Sequence, residues 1–128
     1  MERMRVLLVD DEVEFLDLLC KRLHKRNMNV SAVTTGQAAL EALEQQEFDV
    51  IVLDMRMPGM DGLETLRRIK ALAPDTEVVM LTGHADAEAA TIGMDLGIFD
   101  YLIKPVAISE LILKLQDAYA NKKLRESS

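Results

Sequence analysis

The chain holds a single cysteine, Cys20, among its 128 residues. An internal disulfide is therefore excluded, and nothing points to an oxidising compartment. Cys20 falls within an apolar helical stripe and reads as a small buried thiol. Long hydrophobic runs are missing too. None approaches the ~18 apolar residues of a membrane span. The apolar run behind Arg3 and Arg5 covers only residues 6–9 before Asp10 ends it, too short for a signal peptide. The chain is expected to be cytoplasmic, without a membrane partner. Positive charge is also scarce: 15 Lys and Arg stand against 22 Asp and Glu, a net charge of −7. A protein that grips phosphate backbones is usually basic, so direct nucleic-acid binding by this chain is disfavoured. Internal repeats and low-complexity stretches are absent.

What remains is a globular composition. Apolar residues make up 49% and charged residues 29%, a profile with enough apolar content for one core at this length. Strand and helix signals alternate throughout. Short aliphatic runs at 5–10, 29–34, 49–54, 77–82 and 99–103 read as strands. Stretches with helical spacing or good helix formers follow each one, at 12–26, 36–46, 63–73, 85–97 and 108–123. Strands that are apolar on both faces, each followed by a helix, predict a parallel sheet covered on both sides. With right-handed connections this is an α/β doubly wound three-layer sandwich. An eight-fold barrel would need roughly twice the length.

The stretch "VLLVDDE" at residues 6–12 places three acids directly after a core strand. In an open parallel sheet, ligands sit beyond the carboxyl ends of the strands. The distinctive polar residues gather there: Asp10 and Asp11 after the first strand, Asp54 after the third, Thr82 after the fourth and Lys104 after the fifth. Each aspartate alone could be a helix N-cap. A cap does not call for a lysine and a threonine at two other strand ends. Two carboxylates at ~4 Å repel by about 4 kcal/mol at an effective dielectric of ~20. Either protons stay on or a cation enters, and oxygen-only ligands suit Mg²⁺ better than zinc. A site with Mg²⁺ and an ammonium is built for a phosphoryl group, to which the Thr82 hydroxyl can donate. Asp61-Gly62 and Pro58-Gly59 read as turn formers.

These motifs, "LLVDDE", "DMRMPGMDGLE", "LTG" and "DYLIKP", in this order, resemble the receiver domain of two-component response regulators. The resemblance covers residues 4–122 and leaves 123–128 as a C-terminal tail, which is expected to fray or to start a linker. It implies a flavodoxin-like sheet of order 2-1-3-4-5. It also implies that Asp54 is the phosphoacceptor, charged by a sensor histidine kinase or a histidine phosphotransfer protein. Asp10, Asp11, Asp54 and the backbone carbonyl of Arg56 would hold Mg²⁺. Lys104 would pair with the phosphate, and Thr82 and Tyr101 would be the switch pair. The Lys104–Pro105 bond would be cis, and Gly83 would leave room for phosphate. The partner-binding face, and a possible homodimer, would involve the fourth helix, fifth strand and fifth helix. The alanine-rich segment 85–97 is expected to be the part that responds. Bulky Ile98 and Phe99 depart from the family's pattern there. The domain would catalyse only its own phosphorylation and dephosphorylation.

Two other functions compete. An Mg²⁺-dependent aspartyl phosphatase commonly needs an acid two residues after its nucleophile, where this chain has Arg56. A flavin carrier would need a hydroxyl- or glycine-rich loop after the first strand, where this chain has acids. Arg56 is expected to tune the lifetime of the acyl phosphate. His24 reads as solvated, and His84 as a weaker candidate for phosphate or partner contact. Met55, Met57 and Met60 read as gap fillers or a docking surface, and Leu113 as a dimer contact or an ordinary exposed leucine.

Overall fold

The computed structural model describes residues 3–56, 61–83 and 86–127. Met57, Pro58, Gly59, Met60 and His84, named above, lie outside them. The order of elements is β1 (Arg5–Val9), α1 (Val13–Lys25), β2 (Asn29–Val33), α2 (Gly36–Gln45), β3 (Val50–Asp54), α3 (Gly62–Leu72), β4 (Glu77–Thr82), α4 (Ala87–Asp95), β5 (Asp100–Ile103) and α5 (Ile108–Glu126). The five strands form one parallel sheet of order β2-β1-β3-β4-β5. This is the doubly wound, flavodoxin-like arrangement.

Alternation along each strand builds two cores. Val6, Leu8, Val50, Val52, Val79 and Leu81 point to one side and pack with Leu16, Leu19 and Leu23 of α1 and Leu111 and Leu115 of α5. Leu7, Val9, Ile51, Leu53, Val78 and Met80 point to the other and pack with α2, α3 and α4 through Ala39, Leu40, Leu66, Ile69 and Ala90. The continuous apolar runs of β1, β3 and β4 follow from this two-sided burial. The edge strands β2 and β5 are only partly covered.

Helix α4 is the shortest of the five and buries only Ala90 and Gly93. A Cβ on Gly93 would stand 2.8 Å from Met80 Sδ and 3.1 Å from Ile98 Cδ1. The bulk of Ile98 therefore lies inward against Gly93, while Phe99 packs on the α1–α5 side. Gly97, at φ +96°, supplies the left-handed turn that leads out of the helix.

The last helix departs from expectation. It continues to Glu126, through residues predicted to fray. Lys122 Nζ donates to the buried Asp49 carboxylate at 3.1 Å, and Arg125 Nη2 stands 3.2 Å from buried Glu77. These charges tie the helix end to the amino-terminal edge of the sheet, a force that no local periodicity reveals. Cys20 is half-buried rather than buried, and burial pushes its thiol pKa up. His24 is exposed, as expected.

Candidate functional site

Because all strands run parallel, the ends of β1, β3, β4 and β5 open on one rim. Asp10, Asp54 and Thr82 are each only 2% exposed there. Both aspartates use one oxygen to shape their own loop. Asp10 Oδ1 accepts from Glu12 N at 2.9 Å, and Asp54 Oδ1 accepts from Arg56 N at 3.1 Å. These are two-residue side-chain turns of the kind aspartate favours. They are not caps at the first helical residue, so the capping explanation for the pair fails. Asp61, in contrast, does cap α3, accepting from Leu63 N at 3.2 Å.

The other oxygens converge on Lys104. Its Nζ lies 2.9 Å from Asp10 Oδ2, 2.8 Å from Glu12 Oε1 and 3.4 Å from Asp54 Oδ2. The backbone holds Lys104 in place, its N–H donating to Thr82 O at 2.7 Å and its bond to Pro105 being cis. The ammonium also stands 5.2 Å from the centre of the Phe15 ring, within cation–π range.

Burial pushes the Asp54 carboxyl up from an ordinary value of 3.8 to about 6. The Arg56 N–H opposes the shift, the Asp10 charge adds to it and Lys104 works against it. For Lys104, burial disfavours the ammonium, but hydrogen bonds to Glu12 and Asp10 and the Asp54 and Asp10 charges outweigh it and raise its pKa. Lys104 thus relieves much of the repulsion that crowded acids create, yet Asp54 stays a reluctant anion.

Asp10, Glu12 and Asp54 each offer a carboxylate oxygen within 4.8 Å of the others. Glu12, which the resemblance does not single out, belongs to this set. Asp11 is exposed and stands outside the cluster. The sequence signal for Glu12 is the Asp10 turn, which returns the chain two residues later. Thr82 ends β4, its hydroxyl donating weakly to Gly83 O at 3.3 Å. Tyr101 pairs with Met80 and Ile103 with Thr82, which places Tyr101 on the same sheet face as Thr82, one alternation away. Tyr101 is 38% exposed. An open pocket of about 630 Å³ gives access to the site, lined by Glu12, Asp54, Arg56, Gly83 and Lys104 on its polar side.

Over residues 6–116 the chain matches the family model of the response regulator receiver domain. The chain belongs to this family. It is 35% identical over 126 residues to the transcriptional regulatory protein ZraR of Klebsiella oxytoca, covering 98% of this chain and 28% of ZraR. It is 40% identical over 113 residues to the transcriptional regulatory protein CutR of Streptomyces coelicolor, covering 88% of this chain and 52% of CutR. The chain thus spans about a quarter to a half of these relatives. Among solved structures it is similar to a response regulator receiver domain protein from Clostridium thermocellum, with TM-score 0.89 and 32% identity over 94% of this chain and 98% of that one. A CheY-like receiver domain protein from Methanospirillum hungatei gives TM-score 0.92 at 27% identity, covering 97% and 99%. Phosphoryl acceptance is the general function of receiver domains, which are regulatory modules. Among the described residues, no helix is long and apolar enough to cross a membrane.

Proposed function

We propose that Asp54 is the phosphoacceptor of this receiver domain, and that the resulting charge changes the surface it offers to partners. The observation that carries this is Asp54 itself: a buried carboxylate at a strand end, facing a lysine, at the wall of an open pocket. A carboxylate oxygen of Asp54 attacks the phosphorus of a phosphohistidine on a sensor histidine kinase or histidine phosphotransfer protein. The P–N bond breaks, and the imidazole nitrogen leaves with the electron pair. Lys104 neutralises charge on the transferred group, and the Thr82 hydroxyl exchanges its long bond to Gly83 O for a phosphoryl oxygen.

The oxygen-only donor set fits Mg²⁺. Asp10, Asp11, Asp54 and the Arg56 carbonyl would hold it, and the position of Glu12 makes that carboxylate a further candidate. When bound, Mg²⁺ neutralises charge on the transferring oxygens. The phosphatase alternative is not favoured, because Arg56, two residues after Asp54, is a cation engaged with Asp86.

The switch reading assigns Thr82 and Tyr101 as the coupled pair and α4–β5–α5 as the face that responds. Support comes from the small buried area of α4 and from exposed Met94, Ile103 and Leu113, one on each of these elements. The same face is the proposed homodimer contact, checked by the sedimentation of the phosphorylated protein. A net charge of −7 supports the absence of direct nucleic-acid binding by this chain, and the cytoplasmic location belongs to the same proposal.

The test is acetyl phosphate with Mg²⁺, followed by intact-mass measurement. One phosphoryl adduct is expected on the wild-type chain and none on Asp54→Asn. An adduct that survives in Asp54→Asn overturns the assignment.

A further inference from the structure

Arg56 is engaged beside the site. Its Nε donates to Asp86 Oδ2 at 2.7 Å. The same oxygen accepts a longer bond from Gly83 N at 3.4 Å. The guanidinium lies against Gly83, where a Cβ would meet its Cζ at 3.1 Å and its Nε and Nη2 at 3.2 Å. The Asp86 hydrogen bond and charge raise the Arg56 pKa, and the Asp54 charge adds a smaller push in the same direction.

Asp86 is also the residue before α4. A carboxylate there ordinarily accepts from the free N–H groups of the first turn. Thr35 does so for α2, accepting from Ala38 N at 3.0 Å. Asp86 makes no such bond. Its carboxylate is turned back toward Arg56 and Gly83, and the helix with the fewest buried residues is left without a side-chain cap.

We propose that Arg56 is a phosphoryl-binding residue that exchanges Asp86 for the phosphoryl oxygens, and that the carboxylate so released caps α4. This rests on Asp54 being the acceptor. A phosphoryl group brings close to two negative charges and three acceptor oxygens into the pocket that Arg56 lines. A guanidinium matches such oxygens with a planar fork of donors. The Arg56 side chain is 61% exposed, and a solvent-screened ion pair to one carboxylate is weak competition. The exchange gives α4 a signal path separate from Thr82 and Tyr101.

The experiment uses beryllofluoride with Mg²⁺ as the phosphoryl mimic, fluorine NMR for occupancy and amide hydrogen exchange across residues 87–95. In the wild type the mimic slows exchange in the first turn of α4. In Arg56→Gln, that turn is already slowed roughly fivefold without the mimic, as a gained cap predicts. The mimic binds this variant roughly tenfold more weakly, and Arg56→Lys recovers part of the loss. In Asp86→Ala the mimic binds roughly two- to fivefold tighter, and its effect on the α4 first turn is lost. The double variant Arg56→Gln/Asp86→Ala loses the pre-formed slowing, which separates the exchange from any general loosening. Unchanged α4 exchange in unliganded Arg56→Gln, or equal mimic affinity in Asp86→Ala and wild type, overturns the proposal. A wild type that takes neither beryllofluoride nor a phosphoryl adduct overturns the Asp54 reading, and the exchange with it.

Discussion

The ammonium of Lys104 stands 2.9 Å from the Asp10 carboxylate, 94 residues away in the chain. Both belong to loops that leave the same rim of a parallel sheet. Their contact lets Asp10, Glu12 and Asp54 stand close together, since the lysine supplies a charge that would otherwise have to come from solvent. The remaining imbalance falls on Asp54.

That imbalance has a measurable sign. A carboxyl whose folded pKa is about 6, against an ordinary 3.8, binds its proton more tightly in the folded state. Its ionisation therefore opposes folding: the penalty is absent below the ordinary value, grows as pH rises from there to the folded value and is essentially complete at pH 7. Asp54→Asn removes it. After allowance for screening at this open site, the variant is expected to be more stable than metal-free wild type by about 1–2 kcal/mol at pH 7. The difference shrinks toward zero near pH 4. Urea unfolding at the two pH values, in chelator, checks this.

Mg²⁺ should raise the melting temperature of the wild type. Metal at a hundred times its dissociation constant stabilises by about 2.7 kcal/mol. The metal needs the ionised carboxylate, so its effect should weaken below the Asp54 value of about 6. Asp10→Asn should remove most of the shift. A melting-temperature gain identical at pH 5 and pH 8 would speak against these ligands.

Gly62→Ala tests the base of the Asp54 loop. A Cβ at Gly62 would lie 2.9 Å from the carbonyl oxygen of Met55 and 3.1 Å from its Cα. Backbone atoms cannot rotate aside as a side-chain tip can. The expected cost is about 1–3 kcal/mol, read from urea midpoints, with slower phosphorylation because Met55 adjoins Asp54. A variant as stable and as fast as wild type would show that the loop adapts freely.

Lys122→Met keeps the stem of the side chain and removes its charge. Asp49, with its side chain only 5% exposed, then retains the bond from Arg5 N at 2.8 Å and the Arg5 guanidinium at 3.9 Å, but loses its closer cation. A loss of about 1–3 kcal/mol follows from a poorly compensated buried carboxylate. Amide exchange should rise most in the last turns of α5. Uniform exchange along the helix would contradict an anchor at its end.

Most of the architecture was legible in the residue order. Runs such as "VIVLD" and "EVVMLT" are apolar on both faces because helices cover both sides of β3 and β4. Once the sheet is known to be parallel, its carboxyl ends share a rim, so Asp10, Asp54, Thr82 and Lys104 could be collected there without coordinates. Element boundaries inside the chain came within a residue or two, because local periodicity and turn residues set them. The end of α5 did not.

The missed features have one cause. Glu12 joins Asp10 and Asp54 because the Asp10 side-chain turn brings the chain back over the rim. The Arg56–Asp86 pair joins two loops 30 residues apart. The extension of α5 depends on Asp49 and Glu77, acids of the opposite sheet edge. Strand and helix periodicity encodes which face of an element is buried, and that depends on near neighbours in sequence. Which charged tips meet depends on loop paths and on the packing of distant elements, and only the folded chain resolves that.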